Sequence, residues 1–192
     1  MIPEFNMAGV IPPIRPGAPG HSDDRSPYIV SINSVISRFA TSPKRIQILK
    51  GFLEFRKDFY DLGVVDGFQW IDGSFCQDVE NIEQRDPGDI DVVTFFSLPV
   101  GIDVTSELIT GINNLIDSEF TKPKYNVDAY GMQLGTVFSA HTVQQLSYWY
   151  SMWSHRKSDN MWKGFIQVPF SPTEDLKAIT DLKQIESKEE LQ

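Results

Sequence analysis

The sequence predicts an α/β (α+β) fold, a β-sheet with helices packed on it, and three observations carry that expectation. Segments with helical and with strand-like apolar spacing alternate in the order helix, strand, strand, helix, strand, helix, strand, helix. The 192 residues are 41% hydrophobic and 12% aromatic, enough for a proper core, which suits one domain rather than two. Capping residues stand where the longer helical segments open.

Residues 1–27 hold six of the twelve prolines and read as an extended arm, because proline removes the N–H that a helix or a central strand needs. SINSVISRFA follows as a short amphipathic helix. A longer helix is expected from Pro43 to Leu62: Thr41 or Ser42 caps it, Pro43 takes the first helical position, and Gly63 ends it. Its apolar face carries Ile46, Leu49, Phe52, Leu53, Phe55 and Phe59. The period then changes, and GFQWI (Gly67–Ile71) and DIDVVTFF (Asp89–Phe96) read as strands separated by a polar loop. Asp103–Asp117 is spaced as a helix, Tyr125–Tyr130 as a strand and His141–Ser154 as a helix whose Trp149, Tyr150 and Trp153 are expected to pack into the core. Lys163–Phe170 reads as a strand. Ser171, Pro172 and Glu174 then supply the cap, first position and capping-box acid of a last helix. The expected organisation is an arm over 1–27, a single domain over 28–186 and a charged tail over 187–192.

The formal charge of −9 argues against broad binding to nucleic acid, which needs a basic face for counterion release. The lone cysteine, Cys76, forms no disulfide within the chain, and its acidic surroundings disfavour a thiolate, so it reads as structural. His21, His141 and His155 are too scattered for a zinc site. The opening residues lack the design of a signal peptide, and no apolar run approaches the ~20 residues that span a bilayer, so a soluble, cytoplasmic protein with no membrane attachment is expected.

Between Asp66 and Asp91 stand eight acids and a single base, Arg85. Within that stretch Asp89 and Asp91 lie two apart on a strand, which sends them to one face about 7 Å apart along the backbone, while Ile90 and Val92 point to the core. Two such carboxylates can converge on a hard cation, Mg²⁺ or Mn²⁺, which in turn recruits phosphates. Gly73 and Ser74 directly follow the preceding strand: a glycine lets backbone N–H groups approach an anion, and a serine hydroxyl can donate to a phosphate oxygen. Asp72 reads as a turn residue before glycine, and Glu80, Glu83 and Asp86 as a solvated loop. A serine-hydrolase elbow and a P-loop are both absent from the sequence.

Strand, Gly73-Ser74, spacer, then Asp89-x-Asp91 on the next strand resembles the signature of the DNA polymerase β-like nucleotidyltransferase superfamily. The resemblance implies a mixed nucleotidyltransferase-like sheet and a third carboxylate on a later strand, for which Asp128 in YNVDAY has a suitable place. More narrowly, IPEFNMAGVIPPI, WIDGSF, DIDVV and SHRKSDNMWKGFIQV resemble an uncharacterised family of bacterial nucleotidyltransferase-like proteins across nearly the whole chain. The implied activity is transfer of a nucleotidyl group from an NTP donor, with divalent ions on Asp89, Asp91 and Asp128, to a hydroxyl acceptor. A protein side chain, an RNA end, a small molecule or a second nucleotide would all use the same donor site.

The triphosphate also needs positive charge, and SHRKSDNMWKG concentrates it: Arg156 and Lys163 are the candidate phosphate contacts, with His155 and Lys157 beside them. Capping of a helix C-terminus explains the same cations without a ligand. Small members of the superfamily pair with helical partner proteins in toxin–antitoxin systems, so the resemblance also admits a regulatory module that acts by binding a partner. An aromatic-rich surface can likewise support a homodimer.

Overall fold

The protein is described by a computed structural model over residues 1–101 and 103–189. Among these residues five strands form one mixed sheet: β1 (Tyr28–Ile29), β2 (Gly67–Asp72), β3 (Ile90–Phe96), β4 (Val127–Gln133) and β5 (Ile166–Pro169), in the order β1-β5-β2-β3-β4. β2 runs antiparallel to both of its neighbours, β3 and β5, whereas β3 pairs with β4, and β1 with β5, in parallel. The helices are α1 (Ile32–Phe39), α2 (Pro43–Asp61), α3 (Val79–Ile82), α4 (Ser106–Leu115), α5 (Ser118–Tyr125), α6 (Ala140–Trp153) and α7 (Pro172–Glu189). This is the α+β architecture that the alternating periods predict.

Local chemistry sets most boundaries. The Ser42 hydroxyl accepts from the Arg45 N–H at 3.3 Å to open α2, and Gly63, at φ +79°, turns the chain out of it. The helix expected over 103–117 is α4, shorter at both ends, and a further helix, α5, follows it. Asp117 breaks the run by accepting from the Glu119 N–H at 3.0 Å, capping α5. That helix escapes sequence reasoning because SEFTKPKY carries Pro123, which sits in its last turn. Asn126, left-handed at φ 57°, closes α5 and delays β4 by two residues from the expected start. The charged tail expected over 187–192 lies on the end of α7 as far as residue 189 and beyond that outside the described residues.

Residue alternation divides the sheet. Ile71, Ile90, Val92, Val127 and Ala129 face the main core, shared with α1, α2, α4, α5 and α7. Trp70, Val93 and Phe95 face the other side, where they meet Phe165 and Trp153 of α6. Under the main core runs a buried polar link: Arg56 of α2 donates to Asp175 of α7 at 2.6 and 3.0 Å, to Gln69 Oε1 at 2.8 Å and to the Pro169 carbonyl at 2.8 Å. The proline-rich arm is well anchored: Val10 and Ile11 are fully buried, and Val10 bridges to Gln77. No described helix is long and apolar enough to cross a membrane.

Candidate active site

The pairing registers bring three carboxylates side by side. Asp72 of β2 stands opposite Asp91 of β3, and Asp91 stands opposite Asp128 of β4. All three point to the sheet face opposite the main core, since their neighbours Ile71, Val92 and Ala129 are buried in that core. Asp89 stands one residue before β3 begins, next to this row. Asp91 lies at the centre: burial pushes its carboxyl up to about 7, and the charges of Asp72, Asp89 and Asp128 push in the same direction. Asp128 sits below its ordinary value; burial raises it, but Ser118, Lys122 and Tyr130 outweigh that effect. Its Oδ1 atom is buried with no hydrogen-bond partner of normal geometry.

Gly73 is shaped by Asp91. It adopts φ +82°, and a Cβ placed there would lie 1.8 Å from Asp91 Oδ2. Only glycine lets the turn after β2 pass directly over the carboxylate. Ser74 then opens a single 3₁₀ turn, Ser74–Cys76, whose first residue is half-buried. Arg45 of α2 clamps this loop from below: its guanidinium, 3% exposed, donates to the carbonyls of Phe75 at 2.7 Å and Gln77 at 2.6 Å and to Glu80 Oε2 at 2.8 Å. Glu80, expected as a solvated loop acid, is therefore an ion-pair partner, while Glu83 and Asp86 are exposed as expected. The arm braces the same loop through the Asp78 N–H, which donates to the Gly9 carbonyl at 2.9 Å.

Three cations stand in different situations. Lys163 is buried, and its ammonium binds both oxygens of Asp72, so Asp72 is a buried ion-pair partner rather than only a turn residue. Arg156 pairs with Asp159, donating from Nε at 3.0 Å, and gives Nη1 to the Ala8 carbonyl at 2.6 Å, tying the basic turn to the arm. Nothing places Arg156 against the carboxylate row. His155 and Lys157 beside it are exposed. The third cation, Lys122 of α5, was missed by sequence reasoning: its ammonium lies 2.9 Å from both Asp89 Oδ2 and Asp128 Oδ2. Thr121 holds α5 in place for this by donating to the Val127 carbonyl at 2.8 Å.

The carboxylate row continues along the same face into aromatic rows. Trp70, Val93 and Tyr130 are in register next to it, followed by Phe68, Phe95 and Met132. Trp149 of α6 packs on Tyr130 with ring centroids 4.6 Å apart. The expected core stripe of α6 is only partly so: Trp153 is buried, Trp149 is partly buried, and Tyr150 is 38% exposed.

Among the described residues no three His, Cys, Asp or Glu side chains already stand as a metal-holding group. Asp89 and Asp128 are instead joined through the Lys122 ammonium. The row gathers carboxylate oxygens, the donor type that hard divalent ions take, and Asp91 within it is short of countercharge. Residues 3–169 match the sequence pattern of DUF6932, a family of unknown function, and the chain belongs to that family. No curated protein and no solved structure matches it.

Proposed function

We propose that the protein is a metal-dependent nucleotidyltransferase that moves a nucleotidyl group from an NTP to a hydroxyl acceptor. The observation that carries this reading is the in-register carboxylate row with the Gly73 turn pressed onto Asp91. Asp89, Asp91 and Asp128 would hold Mg²⁺ or Mn²⁺, which when bound neutralises the triphosphate and makes an acceptor hydroxyl more acidic. Gly73 admits the phosphates close to the backbone, and Ser74 can donate to a phosphate oxygen. In the transfer, the acceptor oxygen bonds to the α-phosphorus and the bond to the bridging oxygen breaks, its electrons leaving with pyrophosphate. The acceptor proton passes to a carboxylate or to water. A chain that consumes NTP belongs in the cytoplasm, where NTPs are made and kept. The acceptor stays open between a protein side chain, an RNA end and a small molecule.

The test is binding of Mn²⁺ and of each Mn²⁺–NTP by calorimetry to the wild type and to the Asp89→Asn, Asp91→Asn double variant. Loss of both in the variant supports the reading, and unchanged binding overturns it.

A second reading has its own observation. Val143, Leu146, Tyr148 and Met152 of α6 are exposed, and Val137 and Phe138 before it are 85% and 81% exposed. Apolar surface of this kind suits docking of a helical partner protein, as in toxin–antitoxin pairs, or of a second copy. Light scattering on the wild type beside Leu146→Glu tests the homodimer: a dimer lost in the variant supports it, and a wild-type monomer excludes it.

A further inference from the structure

Lys163 is buried and makes its two side-chain hydrogen bonds to Asp72, and Arg156 is committed to Asp159 and the arm. An acidic site that takes a triphosphate therefore needs another cation. Lys122 is exposed where Lys163 is buried: its ammonium lies 2.9 Å from each of Asp89 and Asp128, on a side chain that is 49% exposed. An ammonium between two carboxylates occupies the kind of position a divalent ion takes, but it is tethered by a flexible four-carbon stem and can leave.

We propose that Lys122 is an exchangeable cation: it neutralises Asp89 and Asp128 in the metal-free protein, yields them to the divalent ion, and then binds the phosphates that arrive with it. This rests on the metal and nucleotide reading above. The fold supports the exchange. Asn126 donates its N–H to the Lys122 carbonyl at 3.0 Å and its own carbonyl accepts from the Ile90 N–H at 3.1 Å, so the Lys122 backbone is fixed against the row while its side chain projects into half-open space. Lys124, on the same helix and similarly exposed, pairs with Asp58 and touches none of the row, which makes it a matched control.

Removing any positive charge near the row favours a cation and disfavours an anion, so the exchange is read from effects at Lys122 that the equally exposed Lys124 does not share. Lys122→Met should bind Mn²⁺ alone about tenfold more tightly, the effect of removing two competing half-exposed ion pairs. The same variant should bind inorganic triphosphate in the presence of saturating Mn²⁺ about tenfold more weakly, the loss of one charge-assisted contact. Lys124→Met should leave both within about twofold. Calorimetry with Mn²⁺ and with triphosphate, which carries no base preference, reads both numbers. In parallel, acetylation of Lys122 by an amine-reactive ester, followed by mass spectrometry, should rise when Mn²⁺ is added and fall again with triphosphate.

Metal and triphosphate affinities that move together or not at all in Lys122→Met, with the wild type binding both, overturn the role of Lys122 and leave the metal site standing. A wild type that binds no Mn²⁺ overturns both. An equal effect from Lys124→Met also overturns it, since the change would then be general charge.

Discussion

At the scale of single residues, Asp91 is the most crowded carboxylate of the row and costs stability. Its folded carboxyl titrates near 7, above the ordinary value near 3.9, so the folded state holds an extra proton between those limits and stability falls as pH rises through that window. Asp91→Asn lacks that penalty. In EDTA at pH 8 the variant should melt higher than the wild type, by about 2 kcal/mol or about 4–8 °C, and the gain should shrink towards pH 5, while Mn²⁺ binding is lost. A variant that melts lower at pH 8 would contradict the crowding of the row. Gly73→Ala places a methyl group on Asp91 Oδ2 and strains a positive φ, so it should cost about 2–3 kcal/mol in melting or denaturant unfolding and weaken Mn²⁺ binding as well. Asp89, Asp91, Gly73 and Ser74 could be picked out in the sequence because strand alternation and a turn glycine are local properties. Lys122 and Asp72 could not be assigned, because their roles depend on pairings across the sheet; the Asp72 partner, Lys163, is 91 positions away.

At the scale of elements, α2, β2 and β3 were legible because long apolar periods and good caps agree with one another. β1, with two residues, offers no pattern to detect, and α5 hides behind Pro123. The α6 helix shows the limit of reading aromatics as core: Trp153 is buried and Trp149 partly so, whereas Tyr150 packs edge-on against Trp70 and Phe165 and stays 38% exposed. The Arg56 link between α2, β2 and α7 was equally invisible, since a helix arginine looks exposed until its partners fold over it. Arg56→Ala leaves Asp175 buried and unpaired, and should cost about 3–5 kcal/mol in urea unfolding. A loss below about 1 kcal/mol would mean that the ion pair is open to water.

At the scale of the whole molecule, the arm over 1–27 joins the parts that make the site. Gly9 and Val10 hold the loop after Gly73, Ile11 accepts from the Gly164 N–H at 2.7 Å beside Lys163, and Ala8 receives Arg156. Proline content identifies such a segment as extended, but its apolar anchors become visible only against the core they fill. Ile11→Ala, at a fully buried position, should lower unfolding stability by about 2–5 kcal/mol and speed proteolysis of the segment over 77–88 that contains α3. The proposed transfer is measured by offering each α-³²P NTP separately, with Mg²⁺ or Mn²⁺, to host lysate and to total RNA, using the wild type beside the Asp89→Asn, Asp91→Asn variant. Label that enters a protein, RNA or small-molecule species with the wild type alone is the predicted result. No transfer by a folded, metal-supplied wild type, or equal transfer by the variant, would contradict it.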